Sequence, residues 1–183
     1  MKLKVLEYDD LLDSLEWRNK HMEALRTPIL LNESMQMEFF EKEICNRDSK
    51  HRYWSLWETR KELKEPKNNL TFNDEIFVGV GGLTNISWEN RSAEISLIIS
   101  DRCQNMGLGE KAVDLLINQG FSYMNLENIY GEVYRCNEPG LEFWKKIIEK
   151  YDAETASLPH RKFYNGCYYG SLYFNINRLG VML

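Results

Sequence analysis

Apolar positions along this chain change their period several times, and each change predicts an element. Lys2 to Leu6 alternates and reads as a first strand. From Asp9 to Leu25, apolar Leu11, Leu12, Leu15, Met22 and Leu25 fall at near-helical spacing, with Asp9 or Asp10 as N-cap and Pro28 as the stop. Met37, Phe40 and Ile44 form the stripe of a second helix, from a Ser34 cap to Cys45. Tyr53 to Trp57 alternates again and reads as a strand, as does Ile76 to Ile86. Glu94 to Ile99 is so apolar that it reads as a short central strand. Gly107 to Met124 gives the clearest helix, with Ala112, Val113, Leu116, Ile117, Gly120 and Phe121 on one face. Asn128 to Tyr134 is a strand, and Pro139 to Tyr151 a helix whose proline sits in the first turn, where no donor is lost. Two strands, 154–164 and 167–176, close the chain around Asn165-Gly166, a strong hairpin signal.

The order is strand, two helices, three strands, helix, strand, helix, hairpin: a layered α/β fold of about seven strands and about four helices. No repeat or linker divides it, so residues 1–183 read as a single domain. The polar stretch RKELKEPKNNLTFND at 60–74 reads as an exposed insertion. Gly79, Gly81 and Gly82 precede no helix and read as close strand packing or a bulge.

Composition narrows the function classes. With 43% hydrophobic and 28% charged residues in 183, the chain is long enough to bury a substantial core. A net charge of −5 argues against nucleic acid as a partner. The cysteines at 45, 103, 136 and 167 form neither CxxC nor CxxH, so no metal site and no disulfide framework is expected. No apolar run is long enough to span a bilayer and MKLKVLEYDD lacks a signal-peptide core, so a cytoplasmic protein without membrane association is expected.

The chemistry concentrates in CQNMGLGEKA, residues 103–112, between the apolar strand and the clearest helix. A loop opening a helix presents unpaired N–H groups and the positive end of the helix dipole, and glycines let an anion approach closely. Gly107, Gly109 and Ala112 fit the dinucleotide fingerprint G-x-G-x-x-[GA], with Glu132 about twenty residues on. The loop from Ile99 to Gly107 is too long for that turn, however, and an antiparallel hairpin follows, so a nicotinamide oxidoreductase falls well behind.

Gln104-Asn105-Met106-Gly107-Leu108-Gly109 instead fits Q/R-x-x-G-x-G/A, and there the sequence resembles the GNAT N-acetyltransferases, whose loop holds the pyrophosphate of coenzyme A. AEISLII resembles that family's central strand, and GEVYRCN the next strand with its terminal asparagine. LEWRN and HRKFYNGCYYGSLYFNI resemble the first helix and closing hairpin of the subgroup acting on ribosomal-protein N-termini, spermidine and amino sugars. The resemblance implies a mixed, mostly antiparallel sheet splayed at its central pair.

The resemblance also implies site residues. The backbone of Leu97, Ile98 and Ile99 would pair with the pantetheine arm across a bulge, with an N–H such as that of Ile99 polarising the thioester carbonyl. Residues Gln104, Asn105, Met106, Gly107, Leu108, Gly109 and Glu110 would hold the pyrophosphate, and Asn137 would bond the cofactor where the strands part. Glu132 and Glu94 are the candidate bases, each with an ion-paired strand carboxylate as the competing reading. Many relatives carry a tyrosine seven residues after the asparagine; here that residue is Trp144, beside the cofactor but no acid, so either Tyr151 or water protonates the thiolate or the free thiolate simply leaves. The acceptor pocket would draw on Trp17, Arg18, Arg26, Phe39, Tyr164 and Tyr168.

The implied function is transfer of the acetyl group of acetyl-CoA, the only cofactor, to a primary amine by direct attack in a ternary complex. An amino sugar, a polyamine, an amino acid or a peptide N-terminus is open as acceptor. A homodimer is in keeping with the family. The alternative is a non-catalytic acyl-CoA sensor or partner-binding module of the same fold, which Trp144 favours.

Overall fold

The computed structural model describes residues 1–26, 29–59 and 75–180, so the predicted insertion at 60–74 and the helix stop at Pro28 lie outside the described residues. One seven-stranded sheet organises the rest. Its strands are β1 (Lys2–Val5), β2 (Arg52–Thr59), β3 (Glu75–Ser87), β4 (Ser92–Ile99), β5 (Asn128–Tyr134), β6 (Glu154–Tyr164) and β7 (Cys167–Asn177). They lie in the order β1-β2-β3-β4-β5-β7-β6. Every pair is antiparallel except β4 with β5.

That one parallel pair is short. It holds only at Ser92↔Asn128, Ala93↔Ile129 and Glu94↔Tyr130. Beyond Glu94 the strands part, because β4 stays in register with β3 from Thr84↔Glu94 to Gly79↔Ile99 while β5 follows β7 from Asn128↔Asn177 to Tyr134↔Ser171. The sheet is therefore splayed as expected, without the bulge expected at 97–99. The β3/β4 register shift lies instead between Thr84 and Ser87.

The two faces are covered differently. On one, Leu83, Ile95, Ile129 and Phe174 pack against Val113, Leu116 and Ile117 of α4 (Leu108–Asn118) and Ile147 of α5 (Glu138–Lys150). Each fully buried side chain of this kind contributes about 1.5–3 kcal/mol. On the other face, Leu6, Leu11 and Val80 meet Phe39, Phe40 and Ile98 beneath the N-terminal helices. The predicted first helix is two short ones, α1 (Tyr8–Asp13) and α2 (Leu15–Lys20), broken at Ser14, whose hydroxyl donates to the Leu11 carbonyl at 2.8 Å. The next helix, α3 (Glu33–Phe39), is capped by Asn32 rather than Ser34: Asn32 Oδ1 accepts from Met35 N–H at 2.9 Å. Both residue types are good caps, and the pattern alone misjudged which one is used. The hairpin turn has positive φ at Asn165 (49°) and Gly166 (80°), as the Asn-Gly pair predicts.

Two contacts fix the segment after α2 over the sheet. Lys20 and His21 both bond Asp101, with His21 Nε2 to Oδ1 at 2.8 Å. Lys162 of β6, 7% exposed, donates to the carbonyls of Met22 (2.6 Å) and Leu25.

Candidate functional site

A cleft of about 1030 Å³ opens where β4 and β5 part. Its lining runs from the loop before α4 to the N-terminal helices and includes Leu97, Ile98 and Ile99 of the β4 edge. Past Glu94 that edge has no strand partner on the β5 side. It offers free backbone groups to an extended, amide-bearing arm.

At the α4 end the working groups are backbone. Asn105 (φ 60°) and Gly107 (φ 74°) turn the chain left-handed into the helix. Gly107 is the N-cap and has no side chain to offer, and Lys111 N–H is the donor that closes the first turn on its carbonyl, at 3.3 Å. The N–H groups of Leu108, Gly109 and Glu110 are thus left for a ligand. A Cβ built on Gly107 meets nothing within 4 Å, so the space before the turn is open. An anion such as a pyrophosphate fits this cradle.

Other residues expected here take different parts. Gln104 lines the cleft, but its Nε2 donates to Ile99 O (3.3 Å) and Asp101 Oδ1 (3.1 Å), which holds the loop together. Leu108 is 3% exposed, belongs to the core and lies outside the cleft lining. Met106 is exposed and lies outside the cleft lining. Glu110 lines it and takes Lys150 at 2.8 Å. A Cβ on Gly109 would come within 2.9 Å of the Phe143 ring, so this glycine, which also lines the cleft, lets α4 pack closely on α5. Asn137 lines the cleft and caps α5, its Oδ1 accepting from Gly140 N–H at 3.0 Å. Trp144 also lines it, its ring 4.8 Å from that of Phe174.

At the other end the working groups are side chains. Glu94 sits on the last paired rung before the strands part. Its carboxylate takes the Arg26 guanidinium and, at 2.8 Å, Asn85 Nδ2. Glu132, on the same face of β5, has a side chain only 4% exposed. It accepts from Arg161 Nε (2.8 Å), Ser171 Oγ (2.7 Å) and Arg26 Nη2 (3.3 Å). Burial alone would raise its pKa, but the hydrogen bonds from Arg161 and Ser171 and the charges of Arg161 and Arg26 leave it below the usual carboxylate value. Arg26 therefore bridges both carboxylates.

The other expected residues divide. Arg18 and Phe39 line the cleft. Trp17 does not: its ring stacks on Phe77, 5.5 Å away. Tyr164 and Tyr168 lie on the hairpin outside the lining, Tyr168 66% exposed. Tyr151, the expected acid, is also outside it. Its hydroxyl donates to Asp114 on α4 at 2.6 Å, and burial together with that bond raises its pKa. Tyr151 follows the last residue of α5, two turns or about 10 Å along the axis from Trp144, and at that level the neighbour is Asp114 of α4 rather than the cleft.

Sequence reasoning missed Tyr134, Gln36, Tyr53 and Ser96, all in or beside the cleft. Tyr134, at the end of β5, is 7% exposed, and burial raises its pKa. The period-two alternation Tyr130, Glu132, Tyr134 was the available signal, since it puts all three on the face of Glu94.

The family model for the acetyltransferase (GNAT) domain matches residues 3–147. The chain belongs to the GNAT acetyltransferase family. Among curated relatives, the spermidine N(1)-acetyltransferase of Escherichia coli is 33% identical over 90 residues, 49% of this chain and 47% of that protein. The chain thus spans about half the length of the curated relatives it matches. A spermidine N-acetyltransferase from Vibrio cholerae, solved with CoA and spermine, superposes with a TM-score of 0.79 at 20% identity, covering 98% of this chain and 96% of that one. A dodecameric form of the Vibrio cholerae enzyme gives 0.74 at 20% identity, over 97% and 93%. At that identity the likeness shows the GNAT fold alone.

Among the described residues no helix is long and apolar enough to cross a membrane. Nor does any group of three or more His, Cys, Asp and Glu there have a metal-holding arrangement.

Proposed function

We propose that this chain is an acetyl-CoA-dependent N-acetyltransferase acting on a primary amine. One observation carries the reading: the fork between β4 and β5 has an anion-receiving helix start at its open end and a mostly buried carboxylate, Glu94, at its closed end. Acetyl-CoA supplies an acetyl group activated as a thioester. Asn105, Gly107 and the first-turn N–H groups of α4 hold its pyrophosphate, and the Leu97–Ile99 edge orients the arm along the fork. Asn137 and Trp144 flank it.

Glu94 is the base in this account, because it stands where the strands part. Its carboxylate takes a proton from the acceptor ammonium, and the neutral amine attacks directly in a ternary complex. Glu132, held by three donors that together with nearby arginine charge keep its pKa below the usual carboxylate value, orients Arg26 and Arg161 instead. Tyr134 Oη, kept protonated by burial, is the proton donor that replaces Tyr151. Spermidine N-acetyltransferases among the similar proteins make polyamines the first acceptors to try. Amino sugars, amino acids and peptide N-termini follow. Self-association belongs to the same proposal, since one solved relative is dodecameric. So does a cytoplasmic setting, in which thiols stay reduced.

A second reading, an acyl-CoA-binding module without turnover, is favoured by Trp144 and by the engagement of Tyr151 with Asp114. Thiol release from acetyl-CoA over an amine panel separates the two. Release with at least one amine is the expected result. Cofactor binding without release on any amine would favour the second reading, and no binding would end both.

A further inference from the structure

Most ionic side chains at the acceptor end of the cleft are satisfied within the protein. Glu94 has Arg26 and Asn85, and Glu132 has Arg161, Ser171 and Arg26. Arg18 is the exception. Among the described residues its guanidinium has no ion pair or hydrogen bond, and its Nε is buried without a partner. Its electrostatic neighbour is the uncharged hydroxyl of Tyr53, which is hydrogen-bonded with Ser96. Gln36 of α3 repeats the pattern: it is 2% exposed, lines the cleft, and its Nε2 is buried with no partner. Two helices thus contribute two orphan donor groups to the lining of one cavity. A buried donor without an acceptor is costly, so in a cleft such a donor is completed by a ligand or by ordered water that a ligand can displace.

The position identifies the ligand. Tyr53, Gly82 and Ser96 lie on one rung of β2, β3 and β4, on the face of Glu94. Ser96 is two residues from Glu94, roughly 6–7 Å along the strand. The pyrophosphate cradle lies past Ile99, beyond the far end of β4, and has its own N–H donors. Arg18, beside Tyr53 on that rung, therefore faces the molecule that brings its amine to Glu94, and Gln36 lines the same cleft.

We propose that the acceptor carries an oxyanion, a carboxylate or a phosphate, one strand rung from its amine, and that Arg18 and Gln36 receive it. This rests on the acetyl-transfer reading and narrows its acceptor from amines in general to amines with an anionic group. Arg18 is a positioning residue here: it sets where the amine sits and takes no part in proton transfer.

The test compares matched acceptors at saturating acetyl-CoA: 1,4-diaminobutane against 4-aminobutyrate, and glucosamine against glucosamine 6-phosphate. The two pairs distinguish a carboxylate from a phosphate. At least one anionic member is expected to exceed its partner about tenfold or more in kcat/KM. Arg18→Met and Gln36→Leu should raise KM for that acceptor with kcat nearly unchanged, and Arg18→Lys should restore part of the loss. Without ligands, Arg18→Met should melt at or above the wild-type temperature, since it removes a partly buried cation that has no ion pair, and the anionic acceptor should raise the melting temperature of wild type alone. Equal or better turnover of the diamine and the uncharged sugar amine would overturn the inference and leave acetyl transfer standing. No thiol release with any amine would overturn both. A fall in stability of ligand-free Arg18→Met with unchanged KM would make Arg18 a structural residue and overturn its assignment.

Discussion

At the α4 end of the cleft the working groups are main-chain atoms, the left-handed turn at Asn105 and Gly107 and the N–H groups after it. At the Glu94 end they are side chains from elements far apart in the chain: Arg18 and Arg26, Gln36, Glu94, Glu132 and Arg161. The first kind of site is local. A few consecutive residues make it, and most side chains around it can change without altering what it binds. The second kind exists only after folding, and its ion-paired members reach across up to 106 residues, as Arg26 does to Glu132. One chain can thus hold a common cofactor with a short motif and choose its acceptor with a dispersed charge lattice.

Substitutions at the two ends should separate these roles, and the largest effect belongs to the backbone end. Gly107→Glu puts a carboxylate before the anion cradle and a side chain on a φ of 74°. Affinity for acetyl-CoA should fall about 100-fold or more by calorimetry, with backbone strain costing about 1–2 kcal/mol of stability. Gly109→Glu is a poorer probe, because its clash with Phe143 would disturb α4 and α5 themselves.

Next in size is Glu94→Gln, which should lower kcat by about 10²–10³ at neutral pH while cofactor affinity stays near wild type. Equal turnover in wild type and variant across the accessible pH range would remove Glu94 as the base.

Glu132→Gln should act on stability more than on chemistry. The folded-state pKa of Glu132 is lowered, so its ionised form stabilises the fold above the unfolded carboxylate value, about 4.3, and that contribution is lost as pH falls through the folded value. Thermal melts should show the variant weaker by about 1–2 kcal/mol at pH 7, with the gap closing below about pH 4. The smallest effect is expected for Tyr151→Phe: about 1 kcal/mol from the lost bond to Asp114, and unchanged kcat. A large fall in kcat would return Tyr151 to the chemistry.

The same contrast explains how much could be read beforehand. Periodicity located all seven strands, and Asn165-Gly166 located the hairpin turn, because both are local properties of the chain. The break at Ser14 escaped, since Leu11, Leu12 and Leu15 keep helical spacing straight through it. The left-handed turn into α4 was legible as a loop motif, whereas the packing of Gly109 on Phe143 and the bracing of the loop by Gln104 were not. Of the side chains expected around the acceptor, Glu94, Glu132, Arg18, Arg26 and Phe39 line the cleft, while Trp17, Tyr164 and Tyr168 lie outside its lining. Aromatic content says nothing of which face a ring takes. The orphan donors of Arg18 and Gln36 are defined by the absence of partners, which only the folded chain reveals.

The most direct test of the account is a crystal structure of the protein with acetyl-CoA. The account predicts the pyrophosphate on the N–H groups of Leu108, Gly109 and Glu110, the pantetheine arm along Leu97–Ile99, and the acetyl group between β4 and β5 facing Glu94. A cofactor bound outside that fork, or with its acetyl group turned away from Glu94, would contradict it.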